Sequence, residues 1–290
     1  MRLFQTSTKK TPLVFPGGAR VDFSRPRIMS IVNCTPDSFY PPSRALSPEE
    51  AAERALAAAE AGADIIDFGA ESTRPGSVYI DGDEELRRLI PALRLFRRRS
   101  ALPVSVDTRK ALVARAALDE GAQILNDISA LEDDSELPGL CARYGAGVVL
   151  MHGAKEARGA GSPGSCGPED LRVFFRSAVR RALDAGIGQD KIILDPGIGF
   201  GKSTGDNLRV LACLAEIGFE DYPLLIGFSR KRFIRDLTGR STEDALPGTL
   251  VVGALAILGG ADIIRVHDTA PALDLVKIMA GLRQAAGEKA

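Results

Sequence analysis

Eight short apolar runs recur along this 290-residue chain, and almost every one ends on a polar residue that a hydrophobic core would reject. The runs are Arg27–Asn33, Asp64–Ala70, Pro103–Asp107, Gln123–Asp127, Gly147–His152, Lys191–Asp195, Pro223–Ser229 and Asp262–His267. They deliver, in order, Asn33, Glu71, Asp107, Asn126 with Asp127, His152, Asp195, Ser229 with Lys231, and Arg265 with His267. Helix-like segments separate them. Strands without a polar face, alternating with helices, indicate a parallel sheet covered by helices. An open doubly wound sheet is the competing architecture. Polar strand ends recur throughout, however, rather than clustering at one switch point. The expected fold is therefore α/β, a (β/α)8 TIM barrel that gathers its strand C-termini into one mouth.

Residues 27–290 are read as this single barrel domain and residues 1–26 as an N-terminal extension. There, Thr11–Phe15 and Ala19–Phe23 flank Pro16-Gly17-Gly18, a hairpin signal placed to plug the barrel bottom. Ser47-Pro48-Glu49-Glu50 is a capping box that starts a helix ending near Ala61. Further helices are expected near 83–99, 109–120, 169–185, 206–217, 245–258 and 271–285. Residues 35–46, 71–82 and 153–167 are Pro-, Gly- and Ser-rich and follow strand ends, so they should overhang the mouth.

The net charge of −1 gives no general pull toward nucleic acid or an anionic membrane. No apolar stretch approaches the roughly 20 residues that span a bilayer. The N-terminus has no long apolar core of a secretory signal. Four widely spaced cysteines suit a reducing cytoplasm and argue against a disulfide framework.

Asp195-Pro-Gly-Ile-Gly-Phe-Gly-Lys202 invites a phosphate-loop reading, which fails because Pro196 occupies a required glycine position. What survives is a glycine-bent turn carrying Asp195 and Phe200. Asp107, Asn126 and Asp195 converging in a partly apolar pocket suit a flat heterocycle with a row of N–H donors. Each unpaired group there costs about 1–3 kcal/mol, which makes recognition strict. Arg74, Lys231, Arg265 and His267 supply the opposite charge, and phosphate sites in such barrels often use the last two strands. Two histidines in the whole chain exclude the usual zinc signatures. A magnesium ion held mainly by a substrate's phosphates, with one protein oxygen such as that of Asn33, is left open.

Taken together, the ordered motifs resemble those of the dihydropteroate synthases, within the pterin-binding enzymes. They are Asn33-Cys-Thr-Pro-Asp-Ser-Phe39, Gly62 through Gly76, Ser105-Val-Asp-Thr, Asn126-Asp-Ile, Leu150-Met-His, Asp195 through Lys202, Ser229-Arg-Lys and Arg265-Val-His-Asp. The resemblance implies condensation of 6-hydroxymethyl-7,8-dihydropterin pyrophosphate with para-aminobenzoate, releasing pyrophosphate. It implies Asp107, Lys231, Arg265 and His267 as catalytic. Thr73, Asp107, Asn126, Met151, Asp195, Phe200, Lys231, Arg265 and His267 are implied for the pterin pyrophosphate. Phe39, Thr73, Arg74, Pro75 and Ser229 are implied for the aminobenzoate, where sulfonamides compete. Asn33 is the implied Mg2+ ligand, and a homodimer the implied assembly.

The first loop departs from the family pattern: Tyr40-Pro41-Pro42-Ser43-Arg44 stands where Ser-Asp-Gly-Gly is usual. Two alternatives accompany this reading. A methyltetrahydrofolate:corrinoid methyltransferase shares Asp107, Asn126 and Asp195 but has no need of Thr-Arg-Pro-Gly or Ser-Arg-Lys. A catalytically weak pterin-binding paralogue is suggested by the altered first loop.

Overall fold

The structure is a computed structural model that describes residues 10–35, 47–71, 79–153, 166–217, 219 and 221–286. The chain opens with a small antiparallel pair, β1 (Leu13–Val14) and β2 (Arg20–Val21), joined by a 3-10 turn at Pro16–Gly18. Eight parallel strands follow: β3 (Arg27–Asn33), β4 (Ile65–Gly69), β5 (Val104–Asp107), β6 (Ile124–Asp127), β7 (Gly147–Met151), β8 (Ile192–Asp195), β9 (Leu225–Gly227) and β10 (Ile263–Val266). Their order in the sheet is β8-β7-β6-β5-β4-β3-β10-β9. The ring closes where Leu194 bridges Leu224 and its N–H donates to the Pro223 carbonyl at 2.9 Å. The closed barrel, rather than the open sheet, is thus the architecture.

Helices α1 (Pro48–Glu60), α2 (Gly82–Arg97), α3 (Ala111–Asp119), α4 (Leu137–Tyr144), α5 (Pro168–Asp184), α6 (Thr204–Ala212), α7 (Arg232–Thr238), α8 (Leu246–Leu258) and α9 (Thr269–Ala285) lie between and after the strands. The capping box at α1 is formed: Glu50 N–H reaches Ser47 Oγ at 3.2 Å, and Ser47 N–H reaches Glu50 at 2.8 Å. Two helices, α4 and α7, stand where the sequence pattern announced none. The segment expected as one helix near 206–217 is α6 followed by a 3-10 turn at Leu214–Glu216.

Side-chain direction within the strands explains how such a barrel holds a polar site. Alternate residues face opposite sides. Ile28, Ile66, Phe68, Val104, Val106, Leu150 and Ile264 belong to the two large apolar clusters shared with the helices. Met29, Ile65, Ile124, Val149, Ile193, Leu225 and Ile263 instead form an inner cluster with Leu13, Phe15 and Val21 of the hairpin. The hairpin therefore plugs the barrel at its strand N-termini. Two residues further along six of these seven strands, the same inward face carries Asp67, Asn126, Met151, Asp195, Gly227 and Arg265, and on β3 it carries Ile31. Apolar layers fill the bottom and polar ones line the top.

An ion cluster fastens the plug. Arg25 grips Asp64 through two bonds of 2.7 and 3.0 Å, and Arg27 adds a third at 3.1 Å. The Asp64 carboxylate also accepts Ile28 N–H at 2.9 Å, so hairpin exit and first barrel strands are tied together. All four cysteines are free thiols, and burial pushes those of Cys34 and Cys141 up to about 12. Among the described residues, no helix is long and apolar enough to cross a membrane.

Leu13 is fully buried in the plug. Leu13→Ala is expected to cost about 2–5 kcal/mol in urea unfolding. Substrate KM values should not change, because the plug lies at the end opposite the mouth. A loss well below 1 kcal/mol would show that the hairpin is an ornament rather than part of the core.

Candidate active site

At the level where the barrel wall turns polar, one guanidinium joins two acids. Arg265 on β10 donates from Nε to Asp67 at 2.6 Å and from Nη2 to Asp107 at 2.8 Å. Asp67 sits on β4 and Asp107 at the end of β5, with β3 lying between β4 and β10 in the ring. Asn126 on β6 donates its amide to the same Asp67 oxygen at 3.2 Å. The other Asp67 oxygen is buried with no hydrogen-bond partner, as is Ser105 Oγ opposite it in the sheet. Asp67 was absent from the sequence-based set. Its signal was a single charge inside the apolar run Ile65–Gly69.

Burial dominates the protonation of this group. It pushes Asp107 up to about 7, with Arg265 opposing the shift and the Asp67 carboxylate adding to it. Arg265 is itself half-buried, which works against its charge. Asp67 and Asp107 outweigh that, and hold it protonated above its ordinary range.

A second acid–base pair faces the first. Burial raises Asp195 at the end of β8, against the pull of Lys231. Burial likewise pushes the Lys231 ammonium down to about 7, with Asp195 resisting. Lys231 precedes α7; its Nζ bonds the Ile198 carbonyl and lies 4.3 Å from the Phe200 ring centroid. Both contacts come from the Asp195–Lys202 turn, which the sequence could do no more than call glycine-bent. Gly197 and Gly199 explain the bend. Their φ values are +67° and +82°, and a side chain at Gly199 would begin 2.6 Å from Lys231 Cδ. Asp195 accepts Gly197 N–H at 2.7 Å, and Asn207 of α6 accepts Gly199 N–H at 2.6 Å. Met151, at the end of β7, is buried beside this turn.

On the β9–β10 side, Ser229 and His267 meet. The Ser229 hydroxyl accepts His267 N–H at 3.2 Å and lies 3.0 Å from the ring Nδ1, which fixes the edge the imidazole turns to β9. Between Ser229 and Lys231, Arg230 has a left-handed backbone, φ 55°. Its guanidinium grips Asp268 through two 2.8 Å bonds and donates to the carbonyls of Thr242 and Glu243. Arg230 therefore braces the loops that carry Ser229, Lys231 and His267.

Asn33 ends β3, and its Oδ1 lies 4.0 Å from where a Gly69 side chain would begin; Asp107 Oδ2 lies 3.9 Å from the same point. Glu71, also expected at the mouth, turns into a separate ion cluster with Lys110 at 2.6 Å and Arg109 at 3.3 Å. Asp127 faces away from the barrel interior and caps the turn at Ser129 and Leu131. Phe39, Thr73, Arg74 and Pro75 lie outside the described residues, as does the altered stretch Tyr40–Arg44.

The structure thus brings Asn33, Asp107, Asn126, Met151, Asp195, Phe200, Ser229, Lys231, Arg265 and His267 to one mouth. Buried acids beside bases at the strand C-termini of a closed barrel define a barrel enzyme. The family model for pterin binding enzymes matches residues 29–267. A dihydropteroate synthase of Escherichia coli strain K12 is 38% identical over 269 residues, covering 92% of this chain and 95% of its own. The solved dihydropteroate synthase of Xanthomonas albilineans with 4-aminobenzoic acid has a TM-score of 0.87 at 38% identity, over 94% of this chain and 99% of that one. That of Yersinia pestis in a sulfonamide drug complex has a TM-score of 0.89 at 35% identity, over 95% and 100%. The chain belongs to the dihydropteroate synthase family, which sets aside the corrinoid methyltransferase.

The shared guanidinium makes a specific prediction. Asp67→Asn removes a like charge from beside Asp107, so Asp107 should ionise at a pH lower by about one unit. Calorimetric affinity for a pterin ligand, followed against pH, should show its acidic limb move down accordingly. An unmoved limb would mean that the two carboxylates do not communicate.

Proposed function

We propose that this enzyme, a transferase of folate biosynthesis, joins 6-hydroxymethyl-7,8-dihydropterin pyrophosphate to para-aminobenzoate. The products are 7,8-dihydropteroate and pyrophosphate. The observation that carries the reading is the convergence of the acids Asp107 and Asp195 and the amide of Asn126 with Lys231 and Arg265 at one rim. Asp107, Asn126 and Asp195 take the N–H edge of the pterin, and Lys231 the acceptor beside it. Phe200 and Met151 pack against the ring. Arg265 and His267 hold the pyrophosphate. As the C–O bond to pyrophosphate breaks, positive charge develops on the exocyclic carbon, and the nearby carboxylates stabilise it. The aminobenzoate nitrogen forms the new C–N bond and then loses a proton. Phe39, Thr73, Arg74, Pro75 and Ser229 shape the aminobenzoate side.

Magnesium fits this arrangement. Asn33, at the end of β3, offers a hard side-chain oxygen donor at the mouth. Among the described residues, no three His, Cys, Asp or Glu side chains gather as a cage, and an ion held here by Asn33 would depend mainly on substrate phosphate oxygens. Asn33 is the protein ligand in this reading. When bound, such an ion would neutralise charge on the leaving pyrophosphate.

The decisive measurement is pyrophosphate release, expected when both substrates are present and absent with either alone. Binding of the pterin pyrophosphate without release would make the chain a pterin-binding paralogue instead. Arg74→Ala should raise the aminobenzoate KM about tenfold or more, the loss of one charge-assisted contact. The pterin KM should stay within about twofold. Equal changes in both would remove Arg74 from the aminobenzoate side.

The assembly we propose is a homodimer through the outer face of α7, α8 and α9. Leu237, Val251, Leu255, Ile278 and Leu282 are all exposed there, and α8 carries no charged residue from Leu246 to Leu258. An apolar face of this extent marks an association surface. Light scattering should give twice the chain mass, falling to one chain for Leu255→Glu. A wild-type monomer would sink the assignment.

A further inference from the structure

Lys202 ends the glycine turn, and the pterin reading leaves it without a role. Its ammonium is 2.9 Å from His152 Nδ1 and donates to the carbonyls of His152 and Gly197, both at 3.1 Å. The Phe200 carbonyl lies at 3.5 Å. These acceptors come from two separate segments, the exit of β7 and the turn after β8. An ammonium has three N–H donors, enough to bind the two segments together.

The turn needs such a pin. Gly197 and Gly199 confer a freedom that other residues lack, yet Ile198 and Phe200 must both meet Lys231. Asn207 secures the far side, accepting Gly199 N–H and donating to the carbonyls of Lys202 and Ser203 at 3.3 and 2.8 Å. On the near side the backbone of His152 adds a further tie, its N–H donating to the Asp195 carbonyl at 2.9 Å. A side chain at Gly197 would collide with the His152 carbonyl, so the two segments are in direct contact.

We propose, building on the pterin-condensing reading, that Lys202 is a positioning residue for pterin recognition. Docked on the His152 imidazole, it holds the 195–202 turn in the shape that sets Asp195, Ile198 and Phe200 around Lys231. His152 is then the neutral acceptor of this pin and not a base for substrate. Its setting agrees. Burial and the Lys202 charge push the imidazole down to about 4, while Asp170 on α5 pulls the other way. The ring also meets Phe174 of α5 edge-on, with centroids 4.8 Å apart.

Lys202→Met tests this in two ways. The pterin pyrophosphate KM should rise about tenfold, the scale of a lost charged hydrogen bond, with the aminobenzoate KM within about twofold. The His152 pKa, followed by proton NMR, should rise by about one unit or more once the cation is gone. The chain has two histidines, so the spectrum of His152→Asn assigns the signal. Parallel rises in both KM values, or an unmoved His152 titration, would overturn the proposal. Should Lys202→Met fail to fold, His152→Leu and His152→Asn decide. Removing the acceptor should raise the pterin KM more than replacing it, and equal losses would overturn the pin. Absence of wild-type pyrophosphate release would strike the parent reading instead, because the His152 titration needs no substrate.

Discussion

The site depends on one guanidinium shared by two carboxylates inside a barrel. Burying a charge costs several kcal/mol unless it is paired and hydrogen-bonded. Arg265 meets that condition by reaching past β3 to Asp67 on β4 and Asp107 on β5. The same pairing sets the electrostatics of the mouth. Asp107 is pushed toward neutrality while Arg265 stays charged. A polar ring can then bind acids whose protonation is already poised, next to a cation that does not titrate. The hairpin makes this tolerable by sealing the opposite end with Leu13, Phe15 and Val21.

Around that centre, neighbouring residues divide the labour. In Ser229-Arg230-Lys231, the serine orients His267, the arginine clamps Asp268 and two carbonyls, and the lysine faces Asp195 and Phe200. The strained backbone at Arg230 is held by its own guanidinium. No covalent nucleophile is required by this design. In the proposed reaction, fixed charges and dipoles at the mouth act on a leaving group that is already good.

Much of this was legible in the sequence. The eight strands lie where the apolar runs placed them, and ten of the candidate residues share one mouth. The failures have physical causes. Helices α4 and α7 span eight and seven residues, too short for a helical period to show. Asp67 does not end its run: it sits inside β4, one inward position before the strand end, with apolar neighbours on both sides. Glu71 lies just beyond its strand and is drawn instead to Lys110 and Arg109. The pattern around Lys202 mimics a phosphate loop without satisfying it, and so gives no sign of the pin. The acceptors of Lys202 on the β7 exit are about fifty residues away in the chain.

The sequence by itself determined the alternation of strand and helix, the capping of α1, the hairpin, and the inventory of acids and bases at the strand ends. These follow from local rules: backbone propensity, side-chain period and cap chemistry act over a few residues. Tertiary structure alone decided which acids share Arg265, which of them burial shifts upward, and what Lys202 and Arg230 hold. Those outcomes depend on ring closure and on register between strands distant in the chain. Partner identity and desolvation exist only once the barrel has closed around them.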